Sequence, residues 1–145
     1  MSNKPHAPTV TVDMMMTHQV KVITEDMTLR DAIVLLLKNR ISGAPVVNNV
    51  QQVVSVVSET DLLKLVIHGL DLTIRECLPK LARPPNLITL YRHSSFNDAY
   101  KIFMTKPIHR IIVVDGTNRI QGILTRGNVL RILVDLKRPA KGSAA

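Results

Sequence analysis

Ser55-Val56-Val57-Ser58-Glu59-Thr60-Asp61 and Gly122-Ile123-Leu124-Thr125-Arg126-Gly127-Asn128 are the two stretches whose reading decides the fold. Each runs an apolar segment into a hydroxyl residue, with a short polar side chain three positions further on. A hydroxyl at that place accepts from the backbone of a new helix, so each stretch reads as a strand that turns straight into a capped helix. The stretches lie 67 positions apart. The same offset, without a gap, carries Thr28 onto Ser95, Asp31 onto Asp98, Ala32 onto Ala99, Val47 onto Val114 and Leu63 onto Leu130. Caps, helix faces and strands coincide over roughly forty residues, the signature of an internal duplication.

Working outward, each copy reads strand, helix, strand, strand, helix. In the first, Val20 to Ile23 is a strand, and Thr28 caps a helix over 28–38 with Leu29, Ala32, Ile33, Leu36 and Leu37 at helical spacing. Pro45-Val46-Val47 and Val53 to Val57 are strands about an Asn48-Asn49 turn, and Ser58 caps a helix through about Ile67 that ends near Gly69. In the second, Leu87 to Leu90 is a strand and Ser95 caps a helix with Phe96, Ala99, Ile102 and Phe103 on its apolar face. Ile111 to Val114 and Ile120 to Leu124 are strands about Asp115-Gly116, and Thr125 caps a last helix running to Leu136. A unit of about 50 residues buries too little apolar area to stand alone, so the copies are expected to share a core. The expected class is α/β: two βαββα repeats packed sheet to sheet around a pseudo-twofold axis. Residues 1–11 read as a flexible arm, 12–70 as the first repeat, 71–86 as a connecting segment, 87–136 as the second repeat and 137–145 as a tail. The connecting segment holds Pro79, Pro84 and Pro85 and a helical stretch within Leu72 to Leu81.

Composition narrows the function classes. The chain has 145 residues, 46% of them hydrophobic, which supports a packed core. No apolar run is long enough to span a bilayer. The start, MSNKPHAPTV, lacks the apolar stretch of a signal peptide, and a cytoplasmic location is expected. One cysteine, Cys77, excludes an internal disulfide and a multi-cysteine zinc site, and reads as a small apolar residue of the connecting helix. With no Trp and four other aromatics, stacking platforms for single-stranded nucleic acid are not expected. Net charge is +8, and it is uneven: residues 1–67 hold six basic and six acidic side chains, residues 68–145 thirteen and five. That reads either as a solvated basic face or as a site for an anionic partner. Basic residues are scattered over helices, strands and tail, so a nucleic-acid partner is not favoured. No paired carboxylates, P-loop, triad or metal-ligand spacing is present, and neither an enzyme nor a metal site is expected.

The chain resembles a tandem pair of cystathionine-β-synthase (CBS) domains, a Bateman module, from about Val12 to Leu136. The family's entry motif is echoed by Asp13-Met14-Met15-Met16-Thr17. Its Leu-x-Asp-Ala helix appears as Leu29-Arg30-Asp31-Ala32 and Phe96-Asn97-Asp98-Ala99, and its Pro-Val-Val-Asp strand as Pro45-Val46-Val47-Asn48 and Ile112-Val113-Val114-Asp115. The opening stretches match the segment that closes each family repeat: Gly, two apolar residues, Ser or Thr, two variable residues, Asp.

The resemblance implies a regulatory module that binds an adenosine compound (AMP, ADP or ATP, with S-adenosylmethionine and NAD as family alternatives) in clefts between the repeats. It also implies a homodimer and, with no output domain attached, a protein partner regulated in trans. A scaffold or dimerisation module without a physiological ligand is the alternative. The implied ligand-binding residues are His109, Arg110, Thr125, Asn128, Ser58 and Asp61. In the family the closing Asp holds the ribose hydroxyls, the Ser or Thr lies beside the ligand, and a His-Arg pair at 109–110 contacts phosphate. The departures are Ser55 where the family prefers Gly, Asn128 where it prefers Asp, and Ser42-Gly43 as the cation-free counterpart of His109-Arg110. Ser58 with Asp61 also reads as a plain capping box, and His109-Arg110 as a surface pair.

Overall fold

The computed structural model describes residues 9–85 and 87–137. Most of the expected arm and tail, residues 1–8 and 138–145, lies outside them. The element order is α1 (Val12–Met15), β1 (Ile23–Thr24), α2 (Leu29–Asn39), β2 (Gly43–Val47), β3 (Val53–Ser58), α3 (Glu59–Leu65), α4 (Ile74–Cys77), β4 (Thr89–Tyr91), α5 (Phe96–Thr105), β5 (Arg110–Val114), β6 (Ile120–Thr125) and α6 (Arg126–Lys137). Single turns of 3₁₀ helix follow α3 at Val66–His68 and α4 at Leu78–Leu81. The strands form two three-stranded sheets, ordered β1-β2-β3 and β4-β5-β6. This is the α/β strand-helix-strand-strand-helix pattern twice over.

Local chemistry accounts for the element ends. Thr28, Ser58 and Ser95 cap their helices by accepting from the third backbone N–H, of Asp31, Asp61 and Asp98. Thr73 does the same for α4 through Glu76. The β1–β2 ladder is parallel and pairs Ile23 with Val46 and Thr24 with Val47 only, against the four-residue strand expected at Val20 to Ile23. One more step back would set Val22 against Pro45, which has no N–H to donate. In the second sheet the corresponding place is Ile112, whose N–H reaches the Ile88 carbonyl at 2.9 Å, and β4 is correspondingly longer, starting with Thr89 opposite Ile112. The turns after β2 and β5 also share a backbone state: Gln51 and Asn118, one offset apart, have φ of 68° and 66°.

The described chain forms two compact units. The first-copy unit holds residues 20–85 and 87 with the turn 116–120. Its core gathers Ile23, Leu29, Leu36, Val57, Leu65 and Ile74, with Cys77 fully buried among them. Burial pushes the Cys77 thiol up from its ordinary value, so it stays protonated and inert. The second-copy unit holds residues 88–115 and 121–137 together with 9–19. The chain start joins it through paired backbone bonds between Thr17 and Ile123 (2.8 and 3.0 Å), and through Val12 N–H to the Ser94 carbonyl at 2.8 Å. Val10, Val12, Met15 and Met16 then pack with Phe96, Phe103 and Leu124. Each such side chain removed from water contributes about 1.5–3 kcal/mol.

Candidate functional site

The segments that open α3 and α6 are built alike. Ser58 donates its backbone N–H (2.8 Å) and its hydroxyl (3.1 Å) to Asp61 Oδ2, and its Oγ accepts from the Asp61 backbone at 3.2 Å. One offset on, Thr125 donates N–H (2.8 Å) and hydroxyl (3.0 Å) to Asn128 Oδ1, and its Oγ1 accepts from the Asn128 backbone at 3.2 Å. The Thr125 N–H is a donor, so the amide must turn its oxygen towards it. With both lone pairs of that oxygen engaged, what the Asn128 amide has left to offer is its NH₂ donors.

His109 and Arg110 stand at the start of β5, His109 exposed and Arg110 half-buried. Burial pulls the Arg110 guanidinium down from its ordinary value, yet arginine keeps its charge at any physiological pH. In the first sheet Gly43 pairs with Ser58; the offset carries that pair onto Arg110 and Thr125, on the neighbouring strands β5 and β6. Arg126 Nη2 also donates to the Ile108 carbonyl at 2.9 Å, tying the α6 start to the segment before β5. His109, Arg110, Thr125 and Asn128 therefore belong to the second-copy unit, while Ser58 and Asp61 belong to the first-copy unit. Gly127, on the first turn of α6, has open space where a side chain would be, its nearest neighbour being Thr125 Oγ1 at 3.7 Å.

The first copy has no cation at Ser42-Gly43 but brings one in from the connecting segment. Arg83 Nη2 lies 2.8 Å from Asp61 Oδ2, and the pair is mostly shielded, the side chains 28% and 14% exposed. Arg83 was not among the residues singled out from sequence. It lines a cavity of about 210 Å³ with Val54, Ser55, Leu78, Pro79, Leu81 and Pro85.

A second pair of features obeys the same offset. Ile33, Leu36, Leu37, Glu59, Leu62, Leu63 and Val66 line a groove of about 220 Å³ between α2 and α3. Tyr100, Phe103, Met104, Arg126, Val129, Leu130 and Leu133, each 67 positions later, line one of about 190 Å³ between α5 and α6. Leu37, Leu63, Ile67, Met104, Leu130 and Val134 are more than half exposed along these faces. Among the described residues no helix is long and apolar enough to cross a membrane, and no group of three or more His, Cys, Asp or Glu is placed to hold a metal.

Two sheets, each handing a strand directly to a boxed helix, define an α/β tandem-repeat module. The CBS domain family model matches residues 10–68 and again 71–135, so the chain belongs to the CBS domain family and carries two copies. An uncharacterized protein of Methanocaldococcus jannaschii is 33% identical over 115 residues, covering 79% of this chain and 36% of the relative. The chain thus spans about a third of that protein's length. The chloroplastic CBS domain-containing protein CBSX1 of Arabidopsis thaliana is 28% identical over 170 aligned positions, 99% of this chain and 72% of the relative. The crystal structure of CBSX2 in complex with AMP superposes with a TM-score of 0.74 at 28% identity, covering 88% of this chain and 98% of that one.

Proposed function

We propose that this chain is a ligand-sensing regulatory module that binds an adenosine nucleotide of the AMP, ADP or ATP class at the second-copy site and signals to a protein partner in trans. The observation that carries the reading is the Thr125–Asn128 box on the strand next to a half-buried Arg110. A guanidinium already partly stripped of water gains most from a phosphate, which it grips with two parallel hydrogen bonds. Thr125 lies beside the sugar, the NH₂ of Asn128 donates to a ribose oxygen, and His109 adds a donor at the exposed rim. The AMP complex of CBSX2 supports the ligand class, and the basic excess of residues 68–145 supports an anion.

The test is calorimetric titration with AMP, ADP and ATP, with S-adenosylmethionine, NAD and duplex DNA as controls. AMP is expected to bind, and Arg110→Ala to weaken it at least about tenfold, the worth of one charge-assisted hydrogen bond. An Arg110→Ala variant with wild-type affinity sinks the phosphate reading.

The matched apolar grooves favour assembly as well. We read the module as a homodimer in which the first-copy groove of one chain seats on the second-copy groove of another. Glu59 sits in the first groove where Arg126 sits in the second, so unlike grooves bring opposite charges together and like grooves bring like charges together. Should no nucleotide bind, a dimerisation scaffold without a physiological ligand becomes the better reading.

A further inference from the structure

We propose that Arg83 is an internal occupant of the first-copy ligand position, so that the chain takes nucleotide at its second copy alone. The inference rests on the reading above, in which the side chain three residues after the Ser or Thr meets the ribose.

The two copies differ at one backbone step. In the second-copy unit the Ile123 carbonyl accepts from the Thr17 N–H at 2.8 Å. The residues one offset away from Ile123 and Thr17 are Val56 and Pro84, and a proline has no N–H to give. A buried carbonyl left without a donor is costly. The Ser55 hydroxyl offers the Val56 carbonyl a donor at a long 3.5 Å, and the Arg83 guanidinium adds a closer one, with Nη2 at 3.3 Å. From that anchorage the same nitrogen reaches Asp61 Oδ2 at 2.8 Å, while Nη1 reaches the Pro84 carbonyl at 3.0 Å. Asp61 Oδ2 thus accepts from Arg83 as well as from the Ser58 N–H and hydroxyl.

A ribose diol binds a carboxylate by donating to it. Here the diol must first displace a charged donor that three partners hold in place, from a pocket edge already narrowed by the buried Ser55 side chain. Neutral hydroxyls do not replace a mostly shielded guanidinium at a carboxylate without loss. In the second copy the residue equivalent to Arg83 is Met16, whose thioether forms no such pair. The first copy keeps the family's Asp, but the Arg83 pair engages it.

The experiment titrates AMP into the full chain as wild type, Arg83→Met and Arg110→Ala, and into the double variant. Methionine is what the other copy carries at this position. Should Arg83→Met fail to fold by circular dichroism, Arg83→Gln keeps a donor for the Val56 carbonyl without the charge. Removing the cation is expected to add one AMP per chain relative to wild type. The added site should survive Arg110→Ala and vanish with Asp61→Ala. An Arg83 variant that takes no more AMP than wild type overturns the proposal. So does a wild-type chain that already fills a site which Asp61→Ala abolishes. If wild type binds no AMP but the Arg83 variant binds one, the Arg83 inference stands and the second-copy reading falls.

Discussion

The thioether of Met16 fills the space above Gly122: a Cβ at position 122 would lie 2.7 Å from Met16 Sδ and 2.8 Å from the Thr17 carbonyl oxygen. Thr17 and Ile123 exchange both of their backbone bonds beside this point. The sulfur can swing away, but the carbonyl cannot retreat without breaking the bridge. Gly122 therefore owes its place to the approach of the chain start. At the equivalent position of the first copy, Ser55 keeps a buried side chain because the approaching segment, Arg83-Pro84, makes no such bridge.

Gly122→Ser, which copies the first repeat, should accordingly destabilise the protein by about 1–3 kcal/mol through overpacking. Ser55→Gly should cost about 1 kcal/mol or less, the backbone penalty of glycine in a strand. Urea denaturation midpoints of the two variants against wild type check the asymmetry. Equal effects would mean that Met16 does not press on position 122.

Acid should weaken the connecting segment through Glu76. Its carboxylate accepts from the Thr73 N–H at 3.0 Å and hydroxyl at 2.9 Å, and the backbone bond, then the hydroxyl bond, hold its pKa below the ordinary glutamate value. A depressed folded-state pKa contributes stability above the unfolded-state pKa, about 4.3, and that stability is lost as pH falls through the folded value. Wild type should therefore be more stable than Glu76→Gln at pH 7, and the gap should close on acidification below the ordinary glutamate pKa. A gap that stays constant down to pH values well under 4 (on the order of 3) would exclude the linkage.

How far this structure could be read in advance depended on the kind of signal. The 67-residue offset carried over to atomic detail, from the matched boxes at Ser58–Asp61 and Thr125–Asn128 to the seven matched groove positions. Capping and periodicity are local, and locality makes them readable. The placement of residues 9–19 in the second-copy unit was not readable, because nothing in the spacing of this segment says which repeat it packs against. Arg83 was hidden for another reason: a cation in a proline-rich connector looks solvated. Only its alignment with Met16, and the missing N–H of Pro84, signalled that a donor was needed at Val56. The short β1 follows from Pro45, whose missing donor is plain in the sequence but tells against pairing only once the register is known.

The groove charges make the orientation of the proposed dimer testable. Glu59→Arg or Arg126→Glu alone should weaken dimerisation by setting like charges against each other, and the double swap should restore it. Each exposed pair is worth only about 0.2–1 kcal/mol, so the shift in dissociation constant should be a few-fold per contact and should shrink with added salt. Sedimentation at graded concentrations reads this. Single swaps that leave dimerisation unchanged would instead indicate grooves that pair like with like, since each swap there only exchanges one like-charge contact for another.

The last prediction turns on which atoms Asn128 has left to offer. Its Oδ1 accepts from both the N–H and the hydroxyl of Thr125, so a bound sugar meets an NH₂ rather than an acceptor. In the Asn128→Asp variant one carboxylate oxygen should keep the cap, as in Asp61, and the other becomes an acceptor for the diol. Adenosine should then bind roughly tenfold or more tightly, since a hydrogen bond to a charged group is worth about 1.5–3 kcal/mol. AMP should gain less, because the new charge repels a phosphate held at Arg110, and raising the salt should narrow that difference between the two ligands. Titrating both ligands into both proteins separates the effects. If adenosine gains nothing from the aspartate, the sugar does not lie at residue 128. If AMP gains as much as adenosine, the phosphate lies too far from it for Arg110 and Asn128 to share one nucleotide.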